Sequence, residues 1–83
     1  MLNVSVISPE STVFEGTATS VVAPAFDGEV GILPQHAPRM TLLGRGTLRL
    51  GSDGAAGRFA IEGGFMQVAD DVVRVVTEKA DAA

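Results

Sequence analysis

Four stretches of the sequence bring together side chains that could do chemistry. Asp27-Gly28-Glu29 stands shortly before His36, the single histidine. Two carboxylates and an imidazole are the ingredients of a metal site or of acid–base catalysis. Asp27-Gly28 is also a strong turn signal, and Glu29 then reads as a solvated residue on a strand edge. No third high-affinity ligand and no nucleophile–base pair accompanies the set, which weighs against catalysis. Asp70-Asp71 is a carboxylate pair, yet it lies between Val68 and Val72, where a hairpin must turn. Gly63-Gly64 lacks the lysine and the following helix of a phosphate-binding loop, and reads instead as a close approach of two backbones. His36, between Pro34 and Pro38, reads as a contact or structural residue. The arginines at 39, 45, 49, 58 and 74 are dispersed. Alternation puts Arg49 and Arg74 opposite the apolar faces of their strands, which makes them a solvated face or the rim of an interface.

Composition narrows the classes further. With 83 residues, one domain is the default, and a chain this short is only marginally stable alone. It has no cysteine, so disulfides and thiolate metal sites are excluded. A 46% hydrophobic fraction is far too apolar for disorder. The core must come from Val, Leu, Ile and Ala, because there are four Phe and no Trp or Tyr. A net charge of −4 without clustered cations makes a poor nucleic-acid binder. The N-terminus has no signal-peptide pattern, and no apolar run reaches the roughly 18 residues of a membrane helix. These features predict a cytosolic protein without direct membrane insertion.

Period-two alternation and short apolar runs dominate, which predicts strands. Leu2, Val4 and Val6 alternate with Asn3 and Ser5, and Ser8-Pro9-Glu10 ends that strand. Thr12 to Glu15 is a second strand closed by Gly16. Thr17 to Ala25 is a third, in which Pro24 predicts an edge or a bulge. Further strands are Glu29 to Leu33, Arg39 to Leu43, Thr47 to Leu50, and Arg58 to Glu62. Phe65 to Val68 and Val72 to Val76 form a last hairpin. Ser52-Asp53-Gly54 and Asp70-Asp71 are turns, and the tail from Thr77 starts a helical turn or frays. The fold class is therefore all-β: an antiparallel sandwich or barrel of about eight to ten short strands.

Three segments together resemble one family, the ε subunits of F-type ATP synthases. The opening Leu2 to Glu10, with Val-x-Val-x-Ser-Pro-Glu, resembles their first strand. The run Pro24 to Pro38, containing Asp-Gly-Glu-x-Gly-Ile-Leu-Pro-x-His-Ala-Pro, resembles their most recognisable loop. Gly63 through Thr77 resembles their closing hairpin. Departures are Gln35, where the family commonly has Gly, and Arg39 and Met40, where it often has apolar residues.

The resemblance implies a single sandwich domain over residues 1–83, without the C-terminal helical hairpin of most members. The end at Ala83 fits either a naturally short subunit or a trimmed one, and in both cases implies no inhibitory or ATP-binding role for this segment. It implies a non-catalytic central-stalk subunit with no cofactor, peripheral on the cytoplasmic face of the inner membrane within the F1 sector. The implied partners are the γ subunit and the membrane c-ring. Asp27, Gly28 and Glu29 would face the ring, and Ser8, His36 and Thr41 would face γ. Two rivals stand beside it. An unrelated protein-, peptide- or sugar-binding sandwich would be expected to show exposed Trp or Tyr. A small metallohydrolase would need more ligands than Asp27, Glu29 and His36 supply.

Overall fold

The computed structural model describes residues 1–51 and 57–82. Ten strands run in chain order: β1 (Leu2–Ile7), β2 (Thr12–Ala18), β3 (Ser20–Ala25), β4 (Gly28–Ile32), β5 (Arg39–Leu42), β6 (Arg45–Gly51), β7 (Gly57–Glu62), β8 (Phe65–Ala69), β9 (Val72–Val76) and β10 (Lys79–Ala82). They form two five-stranded sheets, ordered β2-β1-β9-β8-β5 and β10-β7-β6-β3-β4. We call these the first and second sheets. Alternation drives the layering: Leu2, Val4, Val6, Met66, Val68, Val73 and Val75 turn inward from the first sheet. Val21, Ala23, Ile32, Leu48, Leu50, Phe59 and Ile61 meet them from the second. Each is a residue whose apolar surface leaves water on closure, the main favourable term in folding.

Most of the predicted strands are present, with four differences. First, β1 pairs with β9 in parallel, Asn3 opposite Val72 through Ile7 opposite Val76. Every other strand pair is antiparallel. No hairpin joins β1 to β9, so nothing in the local pattern fixes their direction. Second, β2 continues through Gly16 to Ala18, and Thr19 breaks the chain before β3. Third, Pro24 sits in a strand with neighbours on both sides. It escapes the loss of a ladder bond because the pairing of β3 with β6 stops at Val22. Beyond that point β6 passes with Gly46, where an added Cβ would lie 2.8 Å from the Pro24 Cβ. Fourth, the tail is neither helical nor frayed: β10 pairs with β7 over Lys79–Glu62 to Ala82–Phe59. The predicted turn at Ser52-Asp53-Gly54 lies outside the described residues.

Thr77 marks where the chain leaves the first sheet for the second. It is buried, its N–H donates to the Ile7 carbonyl at 2.9 Å, and its hydroxyl lies 3.2 Å from the Glu62 carbonyl and 3.0 Å from the Lys79 carbonyl. One hydroxyl proton thus serves two acceptors at the seam between the sheets. Thr77→Val keeps the shape and removes the donor. It is expected to lower stability by about 1–2 kcal/mol, because buried carbonyls lose a partner. In a domain of this size that is a fall in thermal midpoint of about 4–8 °C per kcal/mol, and an unchanged midpoint would contradict the role.

Candidate functional site

Asp27, Gly28 and Glu29 lie exposed where β4 begins. Ala25 pairs with Gly28, so Phe26 and Asp27 form the two-residue hairpin loop, and Gly28 opens β4 at φ 135°. The turn apex is therefore one residue earlier than the Asp-Gly signal suggests. Glu29 pairs with Pro24, and its Oε2 accepts from Arg49 Nη2 at 3.1 Å across β3. Arg49 stands directly opposite Arg58 on the same outer face. An exposed pair such as Glu29–Arg49 contributes little to stability, but it restricts where the Glu29 carboxylate points.

His36 lies half-buried on the loop between β4 and β5. Its N–H donates to the Leu33 carbonyl at 3.2 Å, and its Nδ1 sits 2.6 Å from the Ala37 carbonyl. Gln35, at the loop tip, has φ 67°. That left-handed conformation costs a residue with a side chain about 1–2 kcal/mol, which gives a physical reason for glycine at such a tip. Ser8 caps the turn from β1 to β2, with its hydroxyl donating to the Ser11 carbonyl at 3.1 Å. Thr41 turns inward: it is 9% exposed, pairs with Met66, and accepts from Arg39 Nε at 3.0 Å. What β5 presents outward is Met40 and Leu42, 65% and 69% exposed.

The register places these residues relative to one another. Ser8 follows Ile7, at the end of the first sheet where Ile7 pairs with Val76, Val76 with Phe65, and Phe65 with Leu42. His36 precedes Arg39, which pairs with Val68 near the Asp70-Asp71 turn at the opposite end. Ser8 and His36 are therefore separated by nearly a strand length, roughly 17 Å, and by three inter-strand steps of about 4.8 Å. They cannot share one small site. At the Ser8 end the outer face carries a row that sequence reasoning did not single out: Leu42, Phe65, Val76 and Ile7, side by side across four strands. Phe26, 83% exposed, extends the row, since its N–H donates to the Leu42 carbonyl at 3.0 Å. Single exposed apolar residues are ordinary, whereas a contiguous row marks an interaction surface. Apolar alternation was visible in these strands, but it does not say which set faces out.

Among the described residues no group of three or more His, Asp or Glu side chains is arranged to hold a metal ion. Among the same residues no helix is long and apolar enough to cross a membrane. Asp70-Asp71 is a turn, with φ 51° and 61°. Fold and surface together give a two-sheet sandwich whose outer features are an apolar row, a two-proline loop and a charged hairpin.

The family model for the β-sandwich domain of the ATP synthase delta/epsilon chain matches residues 1–83. The chain belongs to that family. It is 44% identical over 78 residues to the ATP synthase epsilon chain of Desulforamulus reducens, covering 94% of this chain and 59% of that protein. It is 43% identical over 77 residues to the epsilon chain of Leptospira borgpetersenii, covering 93% and 61%. The chain thus spans about three fifths of the length of these relatives. In shape it resembles a chain of the Euglena gracilis mitochondrial ATP synthase, solved as OSCP/F1/c-ring, with a TM-score of 0.89 at 23% identity over 98% of this chain and 52% of that one. A chain of the Tetrahymena thermophila mitochondrial ATP synthase central stalk and c-ring matches with a TM-score of 0.78 at 17% identity, over 96% of this chain and 65% of that one.

Proposed function

We propose that this domain is the recognition module of a non-catalytic central-stalk subunit in an F-type ATP synthase, seated between the γ subunit and the membrane c-ring. It acts mechanically, passing torque between ring and shaft so that proton transport stays coupled to ATP synthesis. It works as a peripheral component of the F1 sector, on the cytoplasmic face of the inner membrane. The observation that carries this reading is the outer face of the first sheet. Ser8 lies at the end of this face that carries the Ile7-to-Leu42 row, and His36 lies at its opposite end beside β5, so a γ subunit that spans both has the row within its reach. The molecule measures 26 × 26 × 20 Å, and its broad face is comparable to the about 800 Å² each partner contributes to a standard interface. A sandwich resists bending because its core is packed like a solid, which suits a part that must not slip.

Asp27, Gly28 and Glu29, at the tip of the β3–β4 hairpin, form the ring-facing contact. Glu29 meets a polar or basic ring loop, where a rim charge sets registration more than affinity. Co-purification from native membranes tests the assembly: γ and ring subunits are expected to accompany this chain, and their absence would overturn the reading. Glu29→Lys tests the hairpin. It replaces the Glu29–Arg49 pair by adjacent cations at an exposed site, so stability is expected to change by no more than about 1 kcal/mol. ATP-driven proton pumping in membrane vesicles is expected to fall while ATP hydrolysis persists. Pumping at the parent level would remove Glu29 from the ring contact.

A further inference from the structure

The Asp70-Asp71 turn does more than reverse the chain. Both residues have positive φ, 51° and 61°, as in the two-residue turns that suit right-twisted hairpins. Glycine holds that shape without steric cost. Asp71 instead supplies a carboxylate whose Oδ1 accepts the Gln35 N–H at 2.6 Å, while its carbonyl accepts the Asn3 N–H at 2.8 Å. Gln35 is itself at φ 67°, at the tip of the loop carrying Leu33 and His36. Two non-glycine residues in the left-handed region thus meet through one charge-assisted hydrogen bond, stronger than a neutral one. Strained backbone persists where its surroundings over-determine it, and such places cluster at functional contacts. The loop's other hydrogen bonds, from His36 to Leu33 and beside Ala37, are internal to it. The Asp71 bond ties it to the first sheet.

We infer that Asp71 is a positioning residue: its carboxylate locks the left-handed Gln35 tip and so holds Leu33 and His36 in the geometry that the shaft subunit meets. This rests on the reading that the His36 loop contacts γ. Leu33, 63% exposed, is the apolar anchor that the loop offers.

The test measures affinity of the full chain for purified γ subunit, with thermal unfolding and amide exchange at Gln35 alongside. Asp71→Gly is expected to weaken binding about tenfold, the size of one lost hydrogen bond to a charged group. Its thermal midpoint should not fall, because glycine relieves the backbone at φ 61°. Exchange at the Gln35 amide should quicken. Asp71→Asn retains an acceptor oxygen and is expected to keep both affinity and protection. Parent-level affinity in Asp71→Gly, or equal losses in Asp71→Asn and Asp71→Gly, would overturn the positioning role. Leu33→Asp separates the two levels. If it weakens binding and Asp71→Gly does not, only this inference fails. If Leu33→Asp binds like the parent, the docking of the loop on γ fails as well.

Discussion

Gly64→Ala is expected to leave the chain largely unfolded. An added Cβ at Gly64 would lie 1.9 Å from the Val76 carbonyl oxygen and 2.7 Å from the Thr77 Cα, both backbone atoms that cannot rotate away. The residue also has φ 100°, closed to side chains, and its carbonyl accepts the Leu43 N–H at 2.9 Å. Relief would need β9 to move off β8, and their pairing of Phe65 with Val76 holds one end of the first sheet. Overpacking alone costs about 1–3 kcal/mol, and a backbone in a forbidden region a similar amount again. Small domains have only about 5–15 kcal/mol in total, and one of this length sits at the low end. Gly63→Ala is the control. Gly63 has φ 67° but open space around its Cβ position, so only the backbone cost of about 1–2 kcal/mol applies. Circular dichroism melts should show a shifted but cooperative transition for Gly63→Ala and little folded signal for Gly64→Ala. Similar melts for the two would refute the close-approach account.

Leu42→Asp is expected to abolish most of the affinity for γ while leaving the fold intact. Leu42 is 69% exposed and pairs at the sheet edge with Phe65, so little of it belongs to the core. In the proposed assembly it lies between Phe26 and Phe65, in the middle of a desolvated row. A carboxylate there loses apolar contact and buries an unpaired charge. Hot-spot losses of about 2 kcal/mol or more translate to roughly thirtyfold or more in Kd. Isothermal titration of the variant against γ measures it. Binding within a few-fold of the parent would move the docking surface off this face.

Much of the sandwich was legible in the residues. Leu48 and Leu50, Phe59 and Ile61, and the alternating valines announced buried faces that the structure contains. Asp70-Asp71 was legible as a turn because only a turn fits two carboxylates between valine strands. The close approach expected at Gly63-Gly64 is present at Gly64, whereas Gly63 has open space beside it. Direction and sidedness were not legible. Nothing local distinguishes the parallel partner of β1, and the Lys79–Ala82 sequence has no alternation of large apolar residues to read as a strand. On β5 the polar Thr41 points in while Met40 and Leu42 point out. Hydrophobicity alone assigns that strand the wrong way round, as expected if its outer face is the docking surface proposed above. The link from Asp71 to Gln35 spans 36 residues and exists only once both turns are folded.

A single cysteine placed at Leu42, in a chain that has none of its own, gives the most direct test of whether the row is covered in the working complex. Thiol labelling at that position is followed in the free chain and in the assembled synthase. Rapid labelling when free and strong protection once assembled is the expected pair of results. Equal labelling in both states would contradict the account.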